Sequence, residues 1–190
     1  MTSDPVSDPV SDPVSDPVSD PVSDPACDLA HGRPSDADPI GTVVAVFASP
    51  VANHLLHFAG HLGWRGVLFE PNATRMGGAT RTEVADRLDG VDLSDADIVV
   101  TDHDRPELGV VLRDALAGEA RWIGVMGSRR HAPPHVPALQ DLGVADEAIA
   151  RVHRPIGLDL GSRAPAEIAL STIAGLLADR RGRAGGFAST

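Results

Sequence analysis

Four short segments of this 190-residue chain combine ligand-holding or reactive side chains with turn-forming residues. Gly127-Ser128-Arg129-Arg130 follows an apolar run and offers a glycine turn, a hydroxyl and two guanidinium groups. A planar guanidinium matches phosphate or carboxylate oxygens two at a time, so the doublet is a candidate anion-binding loop. Residues 155–167 place Gly157, Asp159, Gly161 and Arg163 just before a helix start, whose free amides attract anions. The same glycines also suit a purely structural turn. Thr101-Asp102-His103-Asp104 sets an imidazole between carboxylates, a setting for acid/base work or metal ligation. Asp104 has a second reading as the cap of a helix that begins at Pro106. The fourth segment, Phe47 to Ala52, contributes Ser49, and Glu70 follows where an acid would take ribose hydroxyls.

Other patterns are weaker. A dinucleotide fingerprint needs glycines for a tight turn and close backbone approach to a pyrophosphate. Here Phe47 and Ser49 stand at the first two glycine positions and only Ala52 fits the third, which disfavours NAD(P) bound in the usual manner. His54, His57 and His61 lie on one helical stripe, but no Glu joins them in an HExxH arrangement. His131 and His135 are separated by Pro133 and Pro134, which break regular helical spacing. Neither Ser49 nor Ser128 has a base nearby in sequence, so no catalytic nucleophile and no metal ligand set is assigned. All 16 basic residues are Arg, which excludes lysine Schiff-base chemistry and a P-loop. The lone Cys27 excludes an internal disulfide and a CxxC site.

The elements that must position these segments are legible in the apolar pattern. Residues 42–48, 67–69, 98–101 and 122–126 are runs suited to strands buried on both faces. Helical spacing predicts helices over 50–62, 105–117, about 135–142, 145–150 and 165–179, with a short extended piece at 151–153. Pro106 and Pro165 suit first turns, and Gly63 and Gly118 suit stops. Strand–helix alternation with short connections predicts an α/β, Rossmann-like three-layer sandwich with a mostly parallel sheet. Ligands in such sheets gather at the carboxyl ends of the strands, where all four segments fall.

Charge is unevenly distributed. The first 38 residues hold nine aspartates against Arg33, a net −8 of the chain's −11, leaving −3 for the rest. Residues 3–22 are five copies of Ser-Asp-Pro-Val, with Ser23-Asp24-Pro25-Ala26 a sixth, altered one. One Val per unit is too little apolar surface to offset ordering entropy, so 1–38 is expected to be a disordered acidic tail. A body over 39–183 and a flexible terminus over 184–190 complete the expected organisation. A slightly acidic body argues against nucleic-acid binding, which needs a dense basic surface. No apolar run approaches a bilayer span and no leader pattern is visible, so no membrane association and a cytoplasmic location are expected.

The motifs then point to a family. Residues 122–130 (WIGVMGSRR), 153–161 (HRPIGLDLG) and 164–171 (APAEIALS) resemble the C-terminal Rossmann domain of the XdhC/CoxI family. Residues 97–104 (DIVVTDHD) are similar to that family's strand ending in a Thr-His-Asp type turn, and the likeness covers most of 40–182. Those proteins assist maturation of molybdenum hydroxylases such as xanthine dehydrogenase and carbon monoxide dehydrogenase. The resemblance implies binding of molybdenum cofactor, a pterin bearing phosphate, with an apo hydroxylase or a sulfurase as partner. It implies a chaperone rather than a turnover enzyme. The phosphate contacts it suggests are the arginine doublet and the helix-start glycines. An NAD(P)-dependent oxidoreductase and a scaffold making only protein contacts are the alternatives. Oligomeric state is not legible.

Overall fold

Strand β1 (Thr42–Val46) sits at the centre of a six-stranded sheet because its residues are apolar on both faces. In the computed structural model, residues 40–76, 83–118, 120–128 and 130–185 are described. The repeat tail, Arg129 of the arginine doublet and residues 186–190 of the expected terminus lie outside the described residues. The remaining strands are β2 (Arg65–Phe69), β3 (Glu83–Ala85), β4 (Ala96–Val100), β5 (Trp122–Val125) and β6 (Val152–His153). Their order is β3-β2-β1-β4-β5-β6, and every pairing is parallel. The sheet is thus all-parallel, and strand order reverses between β1 and β4, the position of a ligand crevice in open α/β sheets.

Five α-helices cover the two faces: α1 (Pro50–His61), α2 (Leu108–Ala117), α3 (His135–Gln140), α4 (Asp146–Ile149) and α5 (Pro165–Arg180). Alternation along β1 divides the core. Val43 and Ala45 pack with Ala52, Leu55 and Ala59 of α1 and Ala169, Ile173 and Leu176 of α5. Val44 and Val46 pack with Leu108, Val111 and Leu112 of α2, Leu139 of α3 and Ile149 of α4. Fully burying such side chains stabilises by roughly 1.5–3 kcal/mol each, which is how a core poor in aromatics holds.

The start of α1 follows local chemistry: the Ser49 hydroxyl accepts from the Ala52 amide at 3.0 Å, and Pro50 fills the first turn. Three expectations are corrected. The first strand ends at Val46 rather than residue 48, because Phe47 turns into the left-handed region at φ 72°. Helix α2 begins at Leu108, not 105, and Asp104 does not cap it; Glu107 precedes the helix without a side-chain cap bond. Arg105 is instead turned inward by an ion pair made far away in sequence. Strand β3, absent from the apolar pattern, adds a three-residue parallel edge to β2.

The amino-terminal end of the sheet is tied by charge. Asp97 in β4 is fully buried and accepts from Arg180 Nε and Arg121 Nε, both at 2.7 Å. Arg180 also donates to the Ile40 carbonyl at 2.8 Å, so α5, β4 and the lead into β1 close on one another.

Candidate functional site

The carboxyl ends of the strands form a rim with two halves of different character. The first half surrounds β1, β2 and β4. Ser49, after β1, spends its hydroxyl on capping α1 and on Thr101 Oγ1 at 2.9 Å, at the end of β4. Thr101 Oγ1 also donates to the Phe47 carbonyl at 2.9 Å. Glu70, at the end of β2, is fully buried rather than solvated. Its carboxylate accepts from Arg105 Nη2 at 2.9 Å and Nη1 at 3.1 Å, and from the amides of Ala48 and Asn72 at 2.9 and 3.0 Å. Burial alone would raise the Glu70 pKa. The Arg105 guanidinium and the two amides outweigh it and hold the carboxyl below the ordinary glutamate range. The same hydrogen bonds push the Arg105 pKa upward against its own burial, so that guanidinium stays charged.

Arg105 lies 4.5 Å above the Phe47 ring, which is wholly buried in the core on the α2 side of the sheet. A side chain held at positive φ costs of order 1–3 kcal/mol, and ring burial with cation–π contact offsets it here. Phe47 therefore adopts a backbone form that a fingerprint glycine would supply, yet part of the turn's donor capacity is already spent. The Ala48 amide goes to Glu70, the Ala52 amide goes to Ser49, and Pro50 has none to offer. Ser49 and Glu70 are brought together around this turn as internal partners, with their polar atoms directed at the protein.

His103 and Asp104 continue the rim beyond β4. The Asp102 carboxylate accepts from the Asp104 amide at 3.1 Å, and His103 Nε2 lies 3.7 Å from Asp104 Oδ1. Asp104 is largely exposed, so this is a surface pair rather than an aligned acid/base couple.

The second half of the rim follows β5 and β6. Gly127 has φ 155°, a backbone form that other residues rarely adopt, and the Arg154 guanidinium packs beside it, 2.4 Å from where a Cβ would fall. The Ser128 hydroxyl accepts from the Arg130 amide at 3.1 Å, which shapes the turn. Arg130 is exposed and its guanidinium has no ion pair among the described residues. Gly157 has φ 85°, and a Cβ on it would lie 2.6 Å from Ser171 Oγ, so its backbone seats directly on α5. Asp159, Gly161 and Arg163 are exposed on the loop that leads into α5. Among the described residues, no hydrogen bond joins them to the 127–130 turn. At the α5 start Ala164 makes no side-chain cap bond, and the Ser162 hydroxyl before it accepts from the Ala164 amide at 3.1 Å and bonds Glu167 in the first turn.

Sequence reasoning missed Arg105 and Arg154. Each stands just past a strand end, beside Pro106 or Pro155, and position relative to the strand was the available signal. Among the described residues no cluster of three metal-ligating side chains forms, and His57 and His61 stack edge-to-face with rings 4.6 Å apart. No described helix is long and apolar enough to cross a membrane. A cleft of about 940 Å³ runs along α2, lined by Leu88, Val91, Val110 and Asp114, and carries none of the candidate residues.

Comparison with known proteins places this geometry. The family model described as the XdhC Rossmann domain matches residues 43–176. The uncharacterized protein YqeB of Escherichia coli K12 is 31% identical over 120 residues, covering 63% of this chain. The chain spans only about a fifth (21%) of that relative's length. A Bacillus halodurans crystal structure described as a xanthine dehydrogenase shares the fold, with a TM-score of 0.60 and 21% identity. The match covers 75% of this chain and 45% of that one.

Proposed function

The chain belongs to the XdhC Rossmann-domain family, and on that premise we propose that it serves as an accessory protein in the maturation of molybdenum hydroxylases. Its role in this reading is to hold molybdenum cofactor as cargo, or to dock with the maturation machinery. An apo hydroxylase or a sulfurase is the partner. The observation that carries the proposal is the contrast in charge along the rim. Around the β1 turn the Glu70 carboxylate is satisfied by Arg105 and the Ala48 and Asn72 amides, whereas the 127–130 turn presents a guanidinium with no ion pair among the described residues.

The donor set fits a phosphate. Arg130 supplies the planar fork, Ser128 a hydroxyl, and Gly127 the turn that joins them to β5. Arg163 adds positive charge on the neighbouring loop, which Gly157, Asp159 and Gly161 shape, and Arg129 contributes a further guanidinium next to Arg130 in sequence. The cargo brings the metal and its pterin ligand, and the protein contributes binding and shelter from solvent. Ser49, Glu70, His103 and Asp104 act here as supports for the rim. This reading assigns no turnover chemistry and no nicotinamide cofactor.

The test is cofactor retention. Replacing Arg129 and Arg130 together by Ala should weaken molybdenum cofactor binding by roughly 2 kcal/mol, the loss expected for charge-assisted phosphate pairing. Pterin fluorescence and molybdenum content of the purified protein read the result. Unchanged retention in the double variant removes the 127–130 loop as the binding element.

A further inference from the structure

Beneath the 127–130 turn, on the α3 side of the sheet, a cavity of about 400 Å³ opens between the 131–135 segment, α4 and the end of β6. Two of its lining residues carry buried nitrogen atoms with no hydrogen-bond partner in the protein: Nδ1 of His135, and Nε and Nη2 of Arg154. His135 is only 4% exposed. Unpaired buried polar atoms cost of order 1–3 kcal/mol each, and more when charged. A fold that retains three in one place has a use for them. Among the described residues the Arg154 guanidinium makes one hydrogen bond, from Nη1 to the His131 carbonyl at 3.3 Å, at the margin of hydrogen bonding. Among the described residues no carboxylate lines the cavity. The guanidinium also lies close against Gly127.

We infer that this cavity is a second anion site, in which Arg154 and His135 hold the phosphate headgroup of a small phosphomonoester. It is separate from the Arg130 reading above and stands on different residues. An oxyanion would supply the acceptors that Nε and Nη2 lack, in the two-toothed geometry that guanidinium favours. His135 adds a donor that complements a permanent cation. Burial and the nearby Arg154 charge hold its imidazole below the usual histidine range, so it is neutral and contributes one N–H rather than a second charge. Pro133, Val136, Ile149 and Val152 make the remaining wall largely apolar, and the volume exceeds what a bare phosphate fills. This shape suits a phosphate carried on a compact organic body. The same headgroup chemistry could come from free phosphate, and two probes separate these sources.

The experiment titrates inorganic phosphate and phenyl phosphate into the full chain in phosphate-free buffer, following thermal midpoint and the His135 imidazole resonance. Both probes should raise the midpoint and shift that resonance, with phenyl phosphate acting at least tenfold lower in concentration. Equal potency would keep the anion site and assign it to free phosphate. Arg154→Gln should lose at least tenfold in apparent affinity, without lowering the midpoint in anion-free buffer, since it removes an unpaired buried charge. Arg130→Ala should respond as the native chain does, which keeps this outcome distinct from failure of the loop reading. If Arg154→Gln proves unable to fold, the His135 resonance of the unaltered chain decides alone. The inference is overturned by a silent His135 signal, by an Arg154→Gln response equal to the native one, or by loss of response in Arg130→Ala.

Discussion

The two halves of the strand-end rim differ in how they treat charge, and the proposed binding role rests on that difference. Around β1, β2 and β4 the charged groups close on one another: Glu70 takes Arg105 and two amides, and Arg105 covers Phe47. Around β5 and β6 the cations are left without acids: Arg130 is exposed, and Arg154 has buried nitrogens that nothing in the protein accepts. A pair satisfied internally contributes stability and specificity of fold. A cation left over contributes little to folding and remains available to an anion.

The largest expected effect breaks the closed half. Glu70→Ala leaves Arg105 buried without its main counter-charge and should cost about 3–5 kcal/mol in chemical denaturation. A loss under about 1 kcal/mol would mean that the pair does not hold this half together. Acid tests the same pair. Because its folded-state pKa lies below the unfolded value, Glu70 contributes fully above the ordinary glutamate range. That contribution is lost as pH falls through the lowered value. Denaturant midpoints measured from about pH 6 down to about pH 3 should therefore show an acid limb that Glu70→Gln flattens.

The open half should respond in the opposite sense. The Arg129 and Arg130 double variant, expected to lose roughly 2 kcal/mol of cofactor binding, should change folding stability by no more than about 0.5 kcal/mol. A large stability loss there would erase the distinction between the halves. Ser49→Ala gives the smallest effect, about 1 kcal/mol from the lost α1 cap, and should leave cofactor retention untouched. Impaired retention in that variant would restore the β1 turn as a ligand contact.

Much of the fold was legible because its signals are local. β1 and β5 are free of charged residues and β4 is apolar from Ile98 to Val100, and α1 and α5 carry Pro in the first turn with apolar residues at helical spacing. β3 escaped because Glu83, Val84 and Ala85 form a short edge whose pairing with β2 supplies what its own pattern lacks. The α2 start was misplaced because Pro106 imitates a first-turn proline while Arg105 is held by Glu70, 35 residues away. At the site, the Gly127 turn and Arg130 were visible as residue types at a strand end. Arg154 was not, since a single arginine before a proline says nothing about its partners.

Residue order alone determined the alternation of strands and helices, the acidic character of the leader and the gathering of the motifs at one end of the sheet. Those properties depend on periodicity and composition, which act over a few neighbouring residues. Tertiary structure decided which charges are spent and which are spare. That outcome depends on contacts between residues tens of positions apart: Glu70 with Arg105 in one half, Gly127 against Arg154 in the other. Burial then sets the worth of each contact, because a low-polarity interior magnifies both a satisfied pair and an unmet one.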